Sequence, residues 1–376
     1  MVFRIASFLS TIHSWIAISI LCWWLLLSSP SSTDKFQEFL QRHSFATLNG
    51  SRKWVVATLA NEAYIPLVNL FVGRLSTLQL ENLIVFCIDP YIYEYCVFHH
   101  IPAWKVTDLI PPSCLPFSFW QNIFQNINHR RAYPAGGNIE FISLTQLKYL
   151  VFYSVISYNV DILFSDPDVV WIQNPIPYLQ QKRSLHVDIF IQTDRKYSHQ
   201  SLFSYMNTGF VYIHSHCATQ LLLRIMMQQM YQQYPIISQQ RSFNRVLCRT
   251  GPFWYSKRVA TNTCLTFLKP DPTFSYCIGL NTRLDENHNI VAQIVTQVLD
   301  PEIFPHGAYT LWVSYNEKNT VISKNTRWID ISFQQLQDDI FFHADRMIIH
   351  YNWIRGVVNK TEKISQALSY LESKCF

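Results

Sequence analysis

The chain has 376 residues, of which 49% are hydrophobic, 15% aromatic and 15% charged, with nine glycines and a formal net charge of +5. This composition excludes disordered, collagenous and low-complexity chains and supplies ample apolar material for one large core. The 30 Lys and Arg and 25 Asp and Glu residues are scattered, with no basic run longer than Asn128-His129-Arg130-Arg131, so no nucleic-acid partner is expected.

Residues 5–27 hold no Asp, Glu, Lys or Arg, and about 20 apolar residues suffice to cross a bilayer as a helix. The segment reads as a signal-anchor transmembrane helix behind a cytoplasmic tail of residues 1–4, or as a cleaved signal peptide. It exceeds a typical h-region of about 7–15 residues, which favours the anchor. Both readings deliver the rest of the chain to a lumen. Residues 28–51 read as a polar stem and 52–376 as one lumenal domain. Of nine cysteines, Cys22 falls in the apolar segment. The remaining Cys87, Cys96, Cys114, Cys217, Cys248, Cys264, Cys277 and Cys375 form an even set with no CxxC pair, which suits disulfides in an oxidising compartment but leaves their pairing open. Sequons stand at Asn49 and Asn359; if Lys360 lines a ligand site, a glycan on Asn359 would crowd it, and Asn49 is then the expected acceptor.

In chain order, Trp54 to Leu59 is a short β-branched strand, Tyr64 to Leu75 has helical periodicity, and Leu83 to Ile88 is a second buried strand ending on Asp89-Pro90. Strand, helix, strand is the pattern of a βαβ unit on a parallel sheet. Tyr91 to Gly137 reads as irregular structure with one or two short helices. A helix follows from Phe141 to Val155, then a strand from Val160 to Ser165 that stops at Asp166-Pro167-Asp168, then Val169 to Ile172. Strands at Val187 to Gln192 and Gly209 to Ile213 and a helix from Thr219 to Gln233 complete the pattern, an α/β fold.

In open parallel sheets ligands gather beyond the carboxyl ends of the strands. Three polar punctuations fall there: Thr58 to Asn61, Asp89, and Asp166 with Asp168. Two carboxylates one residue apart, between apolar runs, must be paired or bind a cation. Such a pair can reach a hard divalent ion that also holds phosphate oxygens. The chain contains no GxGxxG, Walker A, HExxH or GxSxG motif, so dinucleotide, nucleoside-triphosphate, zincin and serine-hydrolase readings lack their key groups.

The run from Val160 to Pro175, around Asp166-Pro167-Asp168, resembles the DxD block of nucleotide-diphospho-sugar transferases related to plant rhamnogalacturonan xylosyltransferases. Val55 to Tyr64 is similar to that family's first nucleotide-binding strand and turn, Lys148 to its basic helix residue, and Asp188 to Asp194 to its next strand. Asn207-Thr208-Gly209-Phe210 and the stretch from His350 to Lys360 resemble two further blocks. The resemblance implies a GT-A type, Rossmann-like α/β domain with a mostly parallel sheet, in a type II protein of the Golgi membrane. It implies transfer of a sugar from a UDP-sugar donor to a glycan or glycoprotein acceptor, dependent on Mn²⁺ and retaining the anomeric configuration.

The site residues implied are Asp166, Asp168 and His350 for the metal. For the donor they are Thr58, Ala60, Asn61, Lys148, Asp166, Asn207, Gly209, Gly356 and Lys360; Lys148 reads equally as a solvated helix residue. Near the reacting sugar stand Gln240 and Asp194. Relatives carry an Asp-Gln pair where this chain has Gln239-Gln240, so an acceptor-only carboxylate is replaced by an amide. That departure keeps open an alternative: a lumenal carbohydrate-binding or scaffold protein with the same fold and no catalysis. An inverting enzyme would need a carboxylate base, for which Asp194, Asp271 and Asp285 are available.

Overall fold

The computed structural model describes residues 32–46, 53–109, 115–127, 139–183, 187–194, 206–249, 254–258, 260, 262–268, 282–284, 290–301, 303–305, 346–352 and 356–374. The apolar segment 5–27, Asn49, Cys114, Asp271, Cys277, Asp285 and Cys375 lie outside the described residues. Contacts divide the chain into residues 1–42 and residues 43–376. The described part of the first unit is helical: α1 (Ser32–His43) opens on Ser-Thr-Asp, residue types suited to a helix start, and carries an exposed Glu38–Arg42 ion pair at 2.7 Å. The expected stem therefore contains a helix. Its final part joins the second unit's sheet, because β1 (Phe45–Ala46) pairs antiparallel with the first long strand.

The second unit then runs β2 (Lys53–Ala60), α2 (Ile65–Thr77), β3 (Leu83–Cys87), α3 (Pro90–Phe98), β4 (Ala103–Lys105), α4 (Phe117–Gln125), α5 (Ile139–Ile156), β5 (Val160–Ser165) and β6 (Val169–Trp171). It continues with α6 (Ile176–Arg183), β7 (Ile189–Thr193), β8 (Met206–Ile213), α7 (Cys217–Gln233), α8 (Gln239–Val246), β9 (Trp254–Arg258), β10 (Thr263–Leu268), β11 (Thr282–Leu284), β12 (Ile290–Val298), β13 (Ile348–His350) and α9 (Val357–Lys374). The main sheet has the order β4-β3-β2-β5-β8-β7-β12-β10-β9. The expected α/β architecture is present. Its parallel character lies in β4-β3-β2-β5, whose carboxyl ends share one edge, and in the β7–β12 pair. Strand β8 runs antiparallel between β5 and β7, and β9 to β12 pair antiparallel.

Strands β2, β3, β5, β7 and β8 are buried on both faces, as their near-continuous apolar runs require. Trp54, Val56, Val85, Leu163 and Phe210 pack on one side with Val68, Phe71 and Leu75 of α2. On the other, Phe152 of α5 meets Phe164 of β5 edge to face at 5.1 Å, and Tyr149 stacks on Phe243 of α8 at 5.5 Å. Helix α5 is long and apolar enough to cross a membrane by composition, but 78% of it is buried inside the protein. It is a core helix, apolar all round because it is covered all round.

Asp89, one of the polar strand ends, is a structural cap. Its Oδ1 accepts from Ile92 N at 3.0 Å and its Oδ2 from Glu62 N at 2.8 Å, which fixes the start of α3 and the turn after β2. Arg74 of α2, 7% exposed, donates to the carbonyls of Trp171 at 2.7 Å and Ile172 at 2.6 Å, tying that helix to β6. Arg74→Met removes both donors and leaves carbonyls unpaired at a buried position. A loss of about 2–4 kcal/mol is expected, read as a lower urea midpoint at unchanged m-value. Cys248, just after α8, is disulfide-bonded to Cys264 of β10. Cys87 and Cys96 are buried free thiols.

Candidate active site

The site is built where β5 ends. Asp166 N donates to Gly209 O at 2.7 Å, and Val169 N donates back to Asp166 O at 3.1 Å, so Asp166-Pro167-Asp168 forms a tight turn from β5 into β6. Strand β13 lies antiparallel on β6 with His350 opposite Val169. Tyr351 N donates to Asp168 O at 3.0 Å, which closes the same corner. A two-stranded ladder thus carries a residue far along the chain to the mouth of a central strand.

One ligand atom from each of Asp166, Asp168 and His350 lies within 4.8 Å of the others. His350 Nε2 is 3.3 Å from Asp168 Oδ1, and its Nδ1 is 2.9 Å from Gln192 Oε1. Two carboxylates and one imidazole suit a divalent ion of intermediate hardness such as Mn²⁺. Gly209 supplies the room: a Cβ there would stand 2.2 Å from His350 Cε1, 2.8 Å from Asp166 Oδ2 and 2.9 Å from Asn207 Oδ1. Both the donor set and this bare backbone cradle fit a bound cation.

Two lysines complete the electrostatics. Lys148 Nζ sits 2.7 Å from Asp166 Oδ1 and 2.9 Å from Oδ2, above the Phe164 ring at 4.9 Å. It is 9% exposed on a buried helix, so it is no solvated surface residue. Lys360, in the first turn of α9, donates to Asp168 Oδ2. Burial pushes the Asp168 carboxyl up, but the Lys360 ammonium and the His350 ring outweigh it and hold the group well below the usual carboxylate range.

A cavity of about 480 Å³ opens beside these groups. Asp194, on its wall just after β7, accepts from Asn207 Nδ2 at 2.6 Å and Asn352 Nδ2 at 2.7 Å on Oδ1, and from Gln240 Nε2 at 2.9 Å on Oδ2. Three amides therefore share one carboxylate. Gln240 stands in the first turn of α8. Asn244 holds that helix to β8, accepting from Met206 N at 2.9 Å and donating to Met206 O at 2.7 Å. Gln239 faces Thr208, whose hydroxyl donates to its Oε1 at 2.7 Å. The Gln239 amide thus accepts a hydrogen bond.

The fold brings Lys148, Asp166, Asp168, Asp194, Asn207, Gln240, His350 and Lys360 around this cavity. Gly209 lies directly behind the carboxylates. Thr58, Ala60 and Asn61 are buried at the end of β2, but that strand end presents Leu59 and Tyr64 to the cavity in their place. Gly356 is exposed, with φ of +82°, and stands immediately before α9, where Lys360 N donates to Gly356 O at 3.1 Å. Sequence reasoning missed Gln192, Thr208 and Arg241, which also lines the cavity. Arg241 follows Gln240 directly, so a basic residue beside the Gln pair was the available signal; Gln192 inside an apolar strand gave none.

The sequence model of the nucleotide-diphospho-sugar transferases matches residues 78–363. The chain belongs to that family. It is 24% identical over 319 residues to "Beta-arabinofuranosyltransferase RAY1" of Arabidopsis thaliana, covering 82% of this chain and 46% of that protein. It is 27% identical over 157 residues to the "UDP-D-xylose:L-fucose alpha-1,3-D-xylosyltransferase 1" of the same plant, covering 40% and 37%. The chain thus spans less than half the length of these curated relatives. Among solved structures, mouse xyloside xylosyltransferase 1 aligns at 11% identity and a TM-score of 0.36, covering 80% of this chain and 97% of that one. The galactosyltransferase LgtC aligns at 10% identity and a TM-score of 0.36, covering 83% and 95%.

Proposed function

We propose that the protein transfers a pentose or hexose from a UDP-sugar to a glycan or glycoprotein acceptor, with Asp166, Asp168 and His350 holding Mn²⁺, as a type II protein of the Golgi membrane anchored by residues 5–27. The observation that supports this best is the meeting of Asp166, Asp168 and His350 at the carboxyl end of β5, flanked by two lysines. A metal held there would act as a Lewis acid toward the departing diphosphate. Lys148 and Lys360 supply ammonium groups to the phosphate oxygens, and Arg241 adds a third positive group on the cavity wall. The plant relatives are named for arabinofuranose transfer and for transfer from UDP-D-xylose, which makes UDP-linked pentoses the first donors to test.

Asp194 acts here as a positioning residue, with Gln240 as the group nearest the chemistry. Gln240 lines the cavity with its Nε2 bonded to Asp194, which leaves its amide oxygen as the group whose lone pair would stabilise positive charge developing at the anomeric carbon. This arrangement suits a retaining reaction, since the carboxylate in reach is already engaged by three N–H donors. Asp194→Ala releases all three amides and is expected to lower kcat about 100-fold with a smaller change in KM for the donor, because the groups it orients act on the reacting centre.

The decisive assay is UDP release across a panel of UDP-sugars with Mn²⁺ and mixed glycan acceptors. Turnover of one or two donors that is lost on chelation is the expected result. UDP binding without turnover of any donor contradicts the proposal and supports the non-catalytic alternative raised by Gln239.

A further inference from the structure

Gln192 lies on β7, fully buried, at the point where the β7–β8 register shifts between Ile191 and Gln192. Bulges re-aim side chains beside functional sites, and here the amide is turned between two backbone carbonyls and the His350 ring. Its Nε2 donates to Phe304 O and to Pro305 O, both at 3.1 Å. Carbonyls only accept, so these two bonds fix which end of the amide carries nitrogen. The other end, Oε1, faces His350 Nδ1 at 2.9 Å and can only accept as well. Nδ1 of His350 must therefore bear a proton.

We infer that Gln192 is a positioning residue that sets the tautomer of His350, reserving Nε2 as the nitrogen whose lone pair can meet a cation shared with Asp166 and Asp168. The inference rests on the metal reading above and goes beyond it to the residue that prepares the ligand. Without Gln192 the ring loses its acceptor at Nδ1; it is then free to carry its proton on Nε2, beside Asp168 Oδ1 at 3.3 Å, where a proton blocks coordination. Partners of this kind behind a histidine ligand typically change metal affinity about 10- to 100-fold. Nothing in the sequence marks Gln192, because it is one of several polar residues, with Asp188, Thr193 and Asp194, around the apolar run Ile189 to Ile191.

The test uses the full chain with ¹⁵N-labelled histidine, His350→Gln identifying the resonance of interest, alongside Mn²⁺ titrations followed by the free-ion electron paramagnetic resonance signal. At alkaline pH wild type is expected to show His350 protonated at Nδ1 alone. Gln192→Met is expected to shift that ring towards Nε2–H and to raise the Mn²⁺ Kd about 10- to 100-fold. Gln192→Glu keeps an acceptor opposite Nδ1 but loses the amide that served Phe304 and Pro305. It is expected to lower the Tm while retaining the tautomer and a Kd within a few-fold of wild type. An unchanged tautomer and Kd in Gln192→Met overturn the inference. So does a Kd that follows the Tm in both variants, which would make the role structural only. A wild type that binds no Mn²⁺, or His350→Gln binding it as tightly as wild type, overturns the metal reading instead, and the tautomer shift in Gln192→Met still decides whether Gln192 governs the ring.

Discussion

Asp168→Asn is expected to reduce kcat/KM for the UDP-sugar by roughly a thousandfold, measured as UDP release at saturating Mn²⁺. The carboxylate faces His350 and accepts from Lys360, and in the proposed site it also offers an oxygen to the cation. Lewis-acid help to a leaving group amounts to several kcal/mol, and each factor of ten in rate corresponds to about 1.4 kcal/mol. An amide keeps the shape but removes the charge and offers an N–H towards the ring. The variant also tests the electrostatics. Asp168 titrates in the folded protein below its ordinary value, so its stabilising contribution is fully present above a pH of about 4 and is lost as the pH falls through the folded-state value. The difference in unfolding free energy between wild type and Asp168→Asn should therefore be constant near neutrality and shift only in acid. A difference that changes between pH values of about 6 and 8 would assign the effect to another group.

The second large effect is expected at Gly209, a residue that offers no functional atom of its own side. Its added Cβ would stand 2.2 Å from His350 Cε1 and 2.8 Å from Asp166 Oδ2, and neither neighbour is a loose chain end. His350 is 2% exposed and bonded to Gln192, while Asp166 is held by Lys148. Gly209→Ala should displace one of the two, with an overpacking cost of about 1–3 kcal/mol. Mn²⁺ affinity should fall at least 10-fold, in the range seen when the shell behind a metal ligand is disturbed. The control is Gly73→Ala, at a position where a Cβ meets nothing within 4 Å; removing a helix-interior glycine there should stabilise by about 0.5–1 kcal/mol. If Gly209→Ala matches that control in both Tm and Mn²⁺ Kd, the close packing around the carboxylates has no functional weight.

Much of the part of the chain that carries the candidate site is legible in the sequence because buried parallel strands announce themselves. Val160 to Ser165 is apolar save for Asp161 and Ser165 and stops at Asp-Pro-Asp, and the strand has those bounds in the structure. His350 was legible only through family resemblance. It meets Asp168 through the pairing of β13 with β6, and no local pattern reports a ladder between segments so far apart. The antiparallel strands β9 to β12 escaped because their alternation is short and mixed; Thr263 to Leu268 alternates half-buried and buried positions over six residues. Helix α1 escaped because Ser, Thr, Asp and Gln dilute its periodicity, although Phe36 and Leu40 are spaced as a helix face requires. Asp194 was expected near the reacting sugar through the family resemblance. What no sequence shows is that Asn207, Gln240 and Asn352 converge on it from three other segments and engage its lone pairs.

Asp166, Asp168 and His350 are proposed to bind a divalent ion together with a nucleoside diphosphate. Calorimetric titration of the full-length protein with UDP, in the presence of Mn²⁺ and in the presence of a chelator, tests it most directly. Binding that requires Mn²⁺ in wild type and disappears in both Asp168→Asn and His350→Ala is the predicted result. UDP binding that survives chelation, or that both variants retain at wild-type affinity, would contradict it.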